Sequence, residues 1–178
     1  MSREVIFRGR KIQLALDRRP SADGQILERP VVLHPGAVVL LPWFEDGRVC
    51  LLRNYRYTID RTLVELPAGT LEPPEPPEAA AVRELAEETG YRASRWTKLA
   101  EFYPSPGVMT ERMYLFLARD LTPGAMQPEP DEELEPIVVA WQQALAWIDD
   151  GTIQDAKTLA GLLLWDRQLR LGASHGVD

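Results

Sequence analysis

The stretch that most narrows what this chain can become is Gly69 to Tyr91, GTLEPPEPPEAAAVRELAEETGY. A glycine follows a run of strand-type residues, a loop with four prolines comes next, and a carboxylate-dense helix closes the stretch. At about 100° per residue, Val82, Leu85, Ala86 and Thr89 form one stripe of that helix, expected to pack on a sheet. Glu84, Glu87 and Glu88 fall together on the opposite side, at the i, i+3, i+4 spacing that makes side chains neighbours. Like charges so placed destabilise a helix by about 0.2–0.5 kcal/mol per pair. A bound cation removes that penalty. Mg²⁺ takes oxygen ligands, carboxylates above all, and shares its remaining positions with water and substrate phosphates. A solvated acidic face is the other use of such a triplet. Arg83, placed to pair with Glu87 at i, i+4, and Gly90, a C-cap candidate, favour an organised site.

The chain is 178 residues long, enough for one domain with a full core. Hydrophobic residues at 45% and charged residues at 26% are the proportions of a soluble globular protein. A net charge of −7 argues against a nucleic-acid or anionic-membrane surface. A phosphate-bearing ligand therefore needs local basic residues or metal ions. The single cysteine, Cys50, excludes an intramolecular disulfide and, between Val49 and Leu51, reads as a small core residue. It suits a reducing cytosol. The N-terminal segment MSREVIFRGRKIQLALDRR lacks the apolar run of a signal peptide, and no stretch approaches transmembrane length. The expectation is a cytoplasmic protein with no membrane and no nucleic-acid partner.

In chain order, Val5–Phe7, Lys11–Leu16 and Ile26–Leu33 read as three short strands. This meander, residues 1–35, is too small to bury a core alone, so it is expected to pack on residues 36–178 or on a second subunit. Its Arg18, Arg19 and Arg29 are solvated surface or hold a ligand's phosphates or sugar. Gly36–Leu41 and Val49–Leu52 read as strands buried on both faces, the second running on through Arg53–Tyr57. Arg53 and Arg56 are expected to share a face and read an anion. Leu63–Ala68 leads straight into Gly69, and Glu65 within it is either an edge residue or a further acid turned towards the carboxylates. Beyond Tyr91 come a strand at Lys98–Tyr103, a Pro/Gly loop with Ser105, Gly107, Thr110 and Glu111, and a strand at Arg112–Ala118. Leu121–Glu135 reads as an acidic loop where a movable general base could sit. A strand at Ile137–Trp141 and helices at Gln142–Asp150 and Asp155–Arg170 complete a mixed α/β protein.

The fixed positions Gly69, Glu75, Arg83-Glu84-Leu85, Glu87-Glu88 and Gly90 match, in identity and spacing, the box of the Nudix hydrolases, which the chain resembles. Arg53-Asn-Tyr-Arg56, Glu65-Leu-Pro-Ala-Gly69 and Ser105-Pro-Gly107 with Glu111 resemble the ADP-ribose pyrophosphatase group in particular. GDP-mannose hydrolases share much of these flanks. The resemblance implies an α/β/α sandwich and hydrolysis of ADP-ribose, or another nucleoside diphosphate sugar, to AMP and ribose 5-phosphate. Glu84, Glu87, Glu88 and the carbonyl of Ala68 are then the ligands of Mg²⁺, with Mn²⁺ a substitute. A loop glutamate, Glu135 ahead of Glu133 and with Glu87 next in line, orients or deprotonates the water, while Arg53, Arg56, Glu65, Ser105, Gly107 and Glu111 face the substrate. It also implies a homodimer in which the N-terminal strands complete the partner's site.

Overall fold

The computed structural model describes residues 2–127 and 133–174. Strands β1 (Ser2–Arg8), β2 (Gln13–Pro20) and β3 (Ile26–Leu33) form an antiparallel sheet of their own. Then follow β4 (Ala37–Pro42), β5 (Arg48–Arg56), β6 (Arg61–Glu65), β7 (Ala68–Thr70) and α1 (Pro77–Thr89). The chain continues with β8 (Tyr91–Phe102), β9 (Met113–Pro123), β10 (Leu134–Ala140), α2 (Trp141–Asp149) and α3 (Ala156–Ser174). One sheet has the order β7-β4-β9-β8 and another β10-β5-β6.

The core is built on β4, buried at every position and paired in parallel with β9. Alternation along it serves two layers. Val38 and Leu40 pack with Ala80, Ala81 and Leu85 of α1. Val39 and Leu41 face the cluster that holds Leu51, Leu66, Leu115, Trp141 and Leu162. Helices therefore cover the sheets from two sides, the expected sandwich.

The helix carrying the carboxylates departs from the sequence expectation. Its buried residues are Ala80, Ala81, Glu84, Leu85, Glu88 and Thr89, whereas Val82 is 49% exposed. The inward stripe is thus rotated by about 100°, one residue step, from the apolar one. Two small residues, Ala80 and Ala81, bring the helix close to β4, and two glutamates share the inward face. Gly90 ends the helix in the left-handed conformation, φ 71°, and donates its N–H to the Ala86 carbonyl, as the C-cap reading expects. Gln127 N–H donates to the Glu87 carbonyl beside it.

Other boundaries moved too. The expected strand Leu63–Ala68 is broken at Leu66-Pro67 into β6 and β7. The supposed acidic loop is shorter than expected. Leu121–Pro123 extends β9, while Leu134 and Glu135 already belong to β10. Residues 128–132 of that segment lie outside the described residues.

The meander attaches by its last strand. Val32 N–H donates to Val108 O at 2.9 Å, and Thr110 N–H to Val32 O at 2.9 Å. Elsewhere it leaves Ile6, Phe7, Ile12, Ile26 and Leu27 between 41% and 61% exposed. Arg18, one of the arginines weighed as ligand-facing, is held within the meander by Glu4 and Glu28. No helix among the described residues is long and apolar enough to cross a membrane.

Because Leu85 rather than Val82 seats α1, Leu85→Ala is expected to cost about 2–5 kcal/mol. Val82→Ala should stay within about 0.5 kcal/mol. Urea denaturation of the two variants checks the rotation of the helix; equal losses would contradict it.

Candidate active site

Glu84 and Glu88 are only 8% and 3% exposed, an unusual place for acids. Each is satisfied locally. Glu88 Oε2 accepts the backbone N–H of Ala68 at 2.8 Å. Arg83 donates to Glu84 at 2.8 Å, to Glu87 at 2.9 Å and to Glu75 at 2.7 Å. The Arg83 hydrogen bond, opposed by partial burial, holds the Glu75 carboxyl below the usual range, and the same three acids raise Arg83. Glu75 therefore belongs to the site as the far anchor of Arg83.

Gly69 makes the arrangement sterically feasible. A Cβ there would lie 1.8 Å from Glu84 Cδ and 1.9 Å from its Oε1. The carboxylate occupies the place of a missing side chain and so sits against the backbone of β7. Gly69, Thr70, Leu71, Arg83, Glu84 and Glu87 line a cavity of about 270 Å³, which Arg10 and Lys11 also reach from the β1–β2 turn. These two basic residues were not singled out in the sequence, where nothing in a turn between strands marks them as site residues.

Among the described residues, no three Asp, Glu, His or Cys side chains are gathered as a finished metal cage. The donor chemistry nevertheless fits a hard divalent ion. Three carboxylates project from one helix, two of them buried, with the peptide of Ala68 and the Cβ-less Gly69 alongside.

Arg53 and Arg56 do not share a face. They are three residues apart on β5, so alternation sends them to opposite sides. Arg53 donates to Glu135, its cross-strand partner, at 3.2 Å. With Tyr55, Thr62 and Glu133 these two residues line a separate open cleft of about 490 Å³. Arg56 lies on the other face. It donates through Nε and Nη2 to the two oxygens of Glu65 at 2.8 and 2.5 Å, and Glu88 and Asp155 help to raise its pKa after the dominant Glu65 bond.

Glu65 ends β6, the edge strand of its sheet, yet it is not an open acid. It is 1% exposed, and Lys157 reaches it at 2.6 Å from the start of α3. Burial alone would raise its pKa, but Arg56 and Lys157 outweigh that and hold it below the usual carboxylate range. Lys157 itself lies in a helix that reads as ordinary amphipathic sequence, which is why it was missed.

The Ser105–Glu111 loop is placed as a support. The Ser105 carbonyl accepts Val108 and Met109 N–H at 3.1 Å each. Thr110 Oγ1 accepts His34 N–H at 3.0 Å, and Glu111 lies 3.6 Å from His34 Nε2. Burial lowers the His34 pKa, against the pull of Glu111. Ser105, Gly107 and Glu111 line neither of the two cavities described.

The NUDIX domain model matches residues 32–162. The chain belongs to the Nudix family. It is 39% identical over 160 residues to the ADP-ribose pyrophosphatase of Bacillus subtilis, covering 89% of this chain and 86% of that one. It is 36% identical over 182 residues to a GDP-mannose pyrophosphatase of Cronobacter sakazakii, covering 94% and 91%. The crystal structure of an ADP compounds hydrolase aligns with a TM-score of 0.83 over 96% of this chain and 92% of that one. At 22% identity that match shows the shared fold. The chain is a Nudix hydrolase with its box intact from Gly69 to Gly90.

Gly69→Ala tests the steric argument. The added methyl must evict the Glu84 carboxylate, and binding of Mn²⁺ measured by calorimetry is expected to weaken about 10–100-fold, the cost of disturbing a ligand's support. Undiminished binding would show that Glu84 does not depend on the glycine.

Proposed function

We propose that this enzyme hydrolyses the diphosphate bridge of a nucleoside diphosphate sugar, with ADP-ribose the best substrate, giving AMP and ribose 5-phosphate. The observation that carries the reading is the cavity beside the box. It brings Glu84 and Glu87 together with Arg10 and Lys11, as a ligand with both metal-bound and free phosphate oxygens requires. The similarity to an ADP-ribose pyrophosphatase supports the substrate. A GDP-mannose substrate is the second reading, favoured by a similar identity over nearly the whole chain.

In this reading Glu84, Glu87, Glu88 and the Ala68 carbonyl hold Mg²⁺, for which Mn²⁺ can substitute. Bound there, such ions neutralise the diphosphate and acidify a water. Arg56, fixed by Glu65, faces the ligand from the side of Glu88. Arg53, in the separate cleft on the opposite face of β5, and Ser105, Gly107 and Glu111, which line neither cavity, are assigned to the substrate on the family resemblance alone. Water adds across the phosphoanhydride. One phosphorus gains its oxygen, and the bridging oxygen leaves on the other product. Glu87, with its side chain 37% exposed and lining the Glu84 cavity, is the first choice to take the proton. Glu133 and Glu135 are the alternatives. A homodimer formed through residues 1–35 would cover the five exposed apolar side chains of the meander. A cytoplasmic setting suits a chain with a single cysteine, Cys50, which is buried.

With Mg²⁺ or Mn²⁺ the purified protein, sized by light scattering at twice 20.1 kDa, is expected to cleave ADP-ribose faster than GDP-mannose or dinucleoside polyphosphates. If none of them is cleaved, or if the protein sizes as a monomer, the corresponding half of the proposal fails.

For the base, Glu87→Gln should lower kcat by about 10²–10⁴-fold. Glu133→Gln and Glu135→Gln should each lose less than about tenfold. A larger loss at Glu135 with metal affinity unchanged moves the base to the start of β10.

A further inference from the structure

The first turn of α3 carries a residue that the function above leaves unused. Lys157 is 7% exposed, and its Nζ lies 2.6 Å from Glu65 Oε2 and 3.0 Å from Asp155 Oδ1. Asp155 also accepts the Thr158 N–H at 2.9 Å and the Thr158 hydroxyl at 2.5 Å, so it caps the helix while aiming the lysine. Thr158 Oγ1 in turn accepts the N–H of Leu66, the residue after Glu65. Glu65 is thereby approached from two sides, by Lys157 within the core and by Arg56 from a site whose side chain is 41% exposed.

We propose that Lys157 is a positioning residue for Arg56, acting through the carboxylate of Glu65. The inference rests on the reading of Arg56 as a phosphate-facing group. A buried carboxylate needs its charge and lone pairs satisfied, and a half-exposed arginine shared with water and ligand satisfies them only in part. A bidentate fork orients a guanidinium only if the carboxylate is itself immobile, and the ammonium supplies the third contact that fixes it. Finally, Arg56 and Lys157 balance Glu65 and Asp155. Without the lysine, the patch beside Glu88 gains a net negative charge where an anion must approach.

The test compares Lys157→Met, Lys157→Gln and Lys157→Arg with the wild type, in two independent measurements. The first needs no ligand. The Arg56 Nε–H resonance, assigned with Arg56→Lys, should exchange with water at least about tenfold faster in Lys157→Met and Lys157→Gln than in the wild type. Lys157→Arg should restore protection. The second is turnover of ADP-ribose with Mg²⁺. Lys157→Met should lower kcat/KM by about 10–100-fold, as expected of a misplaced positioning group. In an Arg56→Ala background the same substitution should cost less than about twofold. Unchanged Arg56 exchange, or losses that multiply in the double variant, overturns the proposal. If Lys157→Met does not fold, Lys157→Gln and Lys157→Arg decide by the same criteria. A wild type that cleaves no diphosphate fails the functional reading alone, and the exchange measurement still decides whether Lys157 holds Arg56.

Discussion

Three glutamates on one helix repel, and much of this structure is the arrangement that holds them still. Each like pair at helix-neighbour spacing costs about 0.2–0.5 kcal/mol. A hydrogen bond to a charged group returns about 1.5–3 kcal/mol. Arg83 makes such contacts with Glu84, Glu87 and Glu75 at once, and the Ala68 peptide makes one with Glu88. The attractions therefore outweigh the repulsions before any ion arrives. That explains how Glu84 and Glu88 can be turned inward without wrecking the helix.

The second constraint is the alternation of β5. Because Arg53 and Arg56 are an odd number of residues apart, one strand serves two different surfaces. Arg53 meets Glu135 and the open cleft at the start of β10. Arg56 meets Glu65 and, behind it, the first turn of α3.

How much of this could be read in the sequence follows from what kind of information each feature uses. The box was legible because it is encoded by spacing along one helix and by a glycine before it. The two-layer core was legible because β4 and the Val49–Leu52 run of β5 are apolar without interruption. The helix rotation was not. Hydrophobicity assigns Val82 inward and Glu84 outward, and only the neighbours that satisfy the acids, the Ala68 N–H and Arg83, reverse that order. Glu65 failed for a similar reason. Its two cationic partners lie 9 and 92 residues away, and no local pattern reports a pairing made by packing. The acidic segment before β10 was misjudged at its edges, since cross-strand pairing with β5 extends the strand through Leu134 and Glu135 against their polar surroundings.

These threads meet in the five residues from Glu65 to Gly69. The Glu65 carboxylate takes Arg56 and Lys157; Leu66 N–H donates to Thr158. The Pro67 carbonyl accepts Leu40 N–H from the central strand, and Ala68 N–H donates to Glu88. Gly69 yields its side-chain volume to Glu84. Successive residues are thus pinned to β5, α3, β4 and α1 in turn, so the corner has little freedom to shift one partner without the others. Pro67 has no N–H to place and contributes its carbonyl alone. If, as proposed, α1 holds metal ligands and β5 an arginine for the same substrate, their separation must be held to within about 0.5 Å. A short peptide bonded to both elements fixes it more directly than the packing of either one against the core.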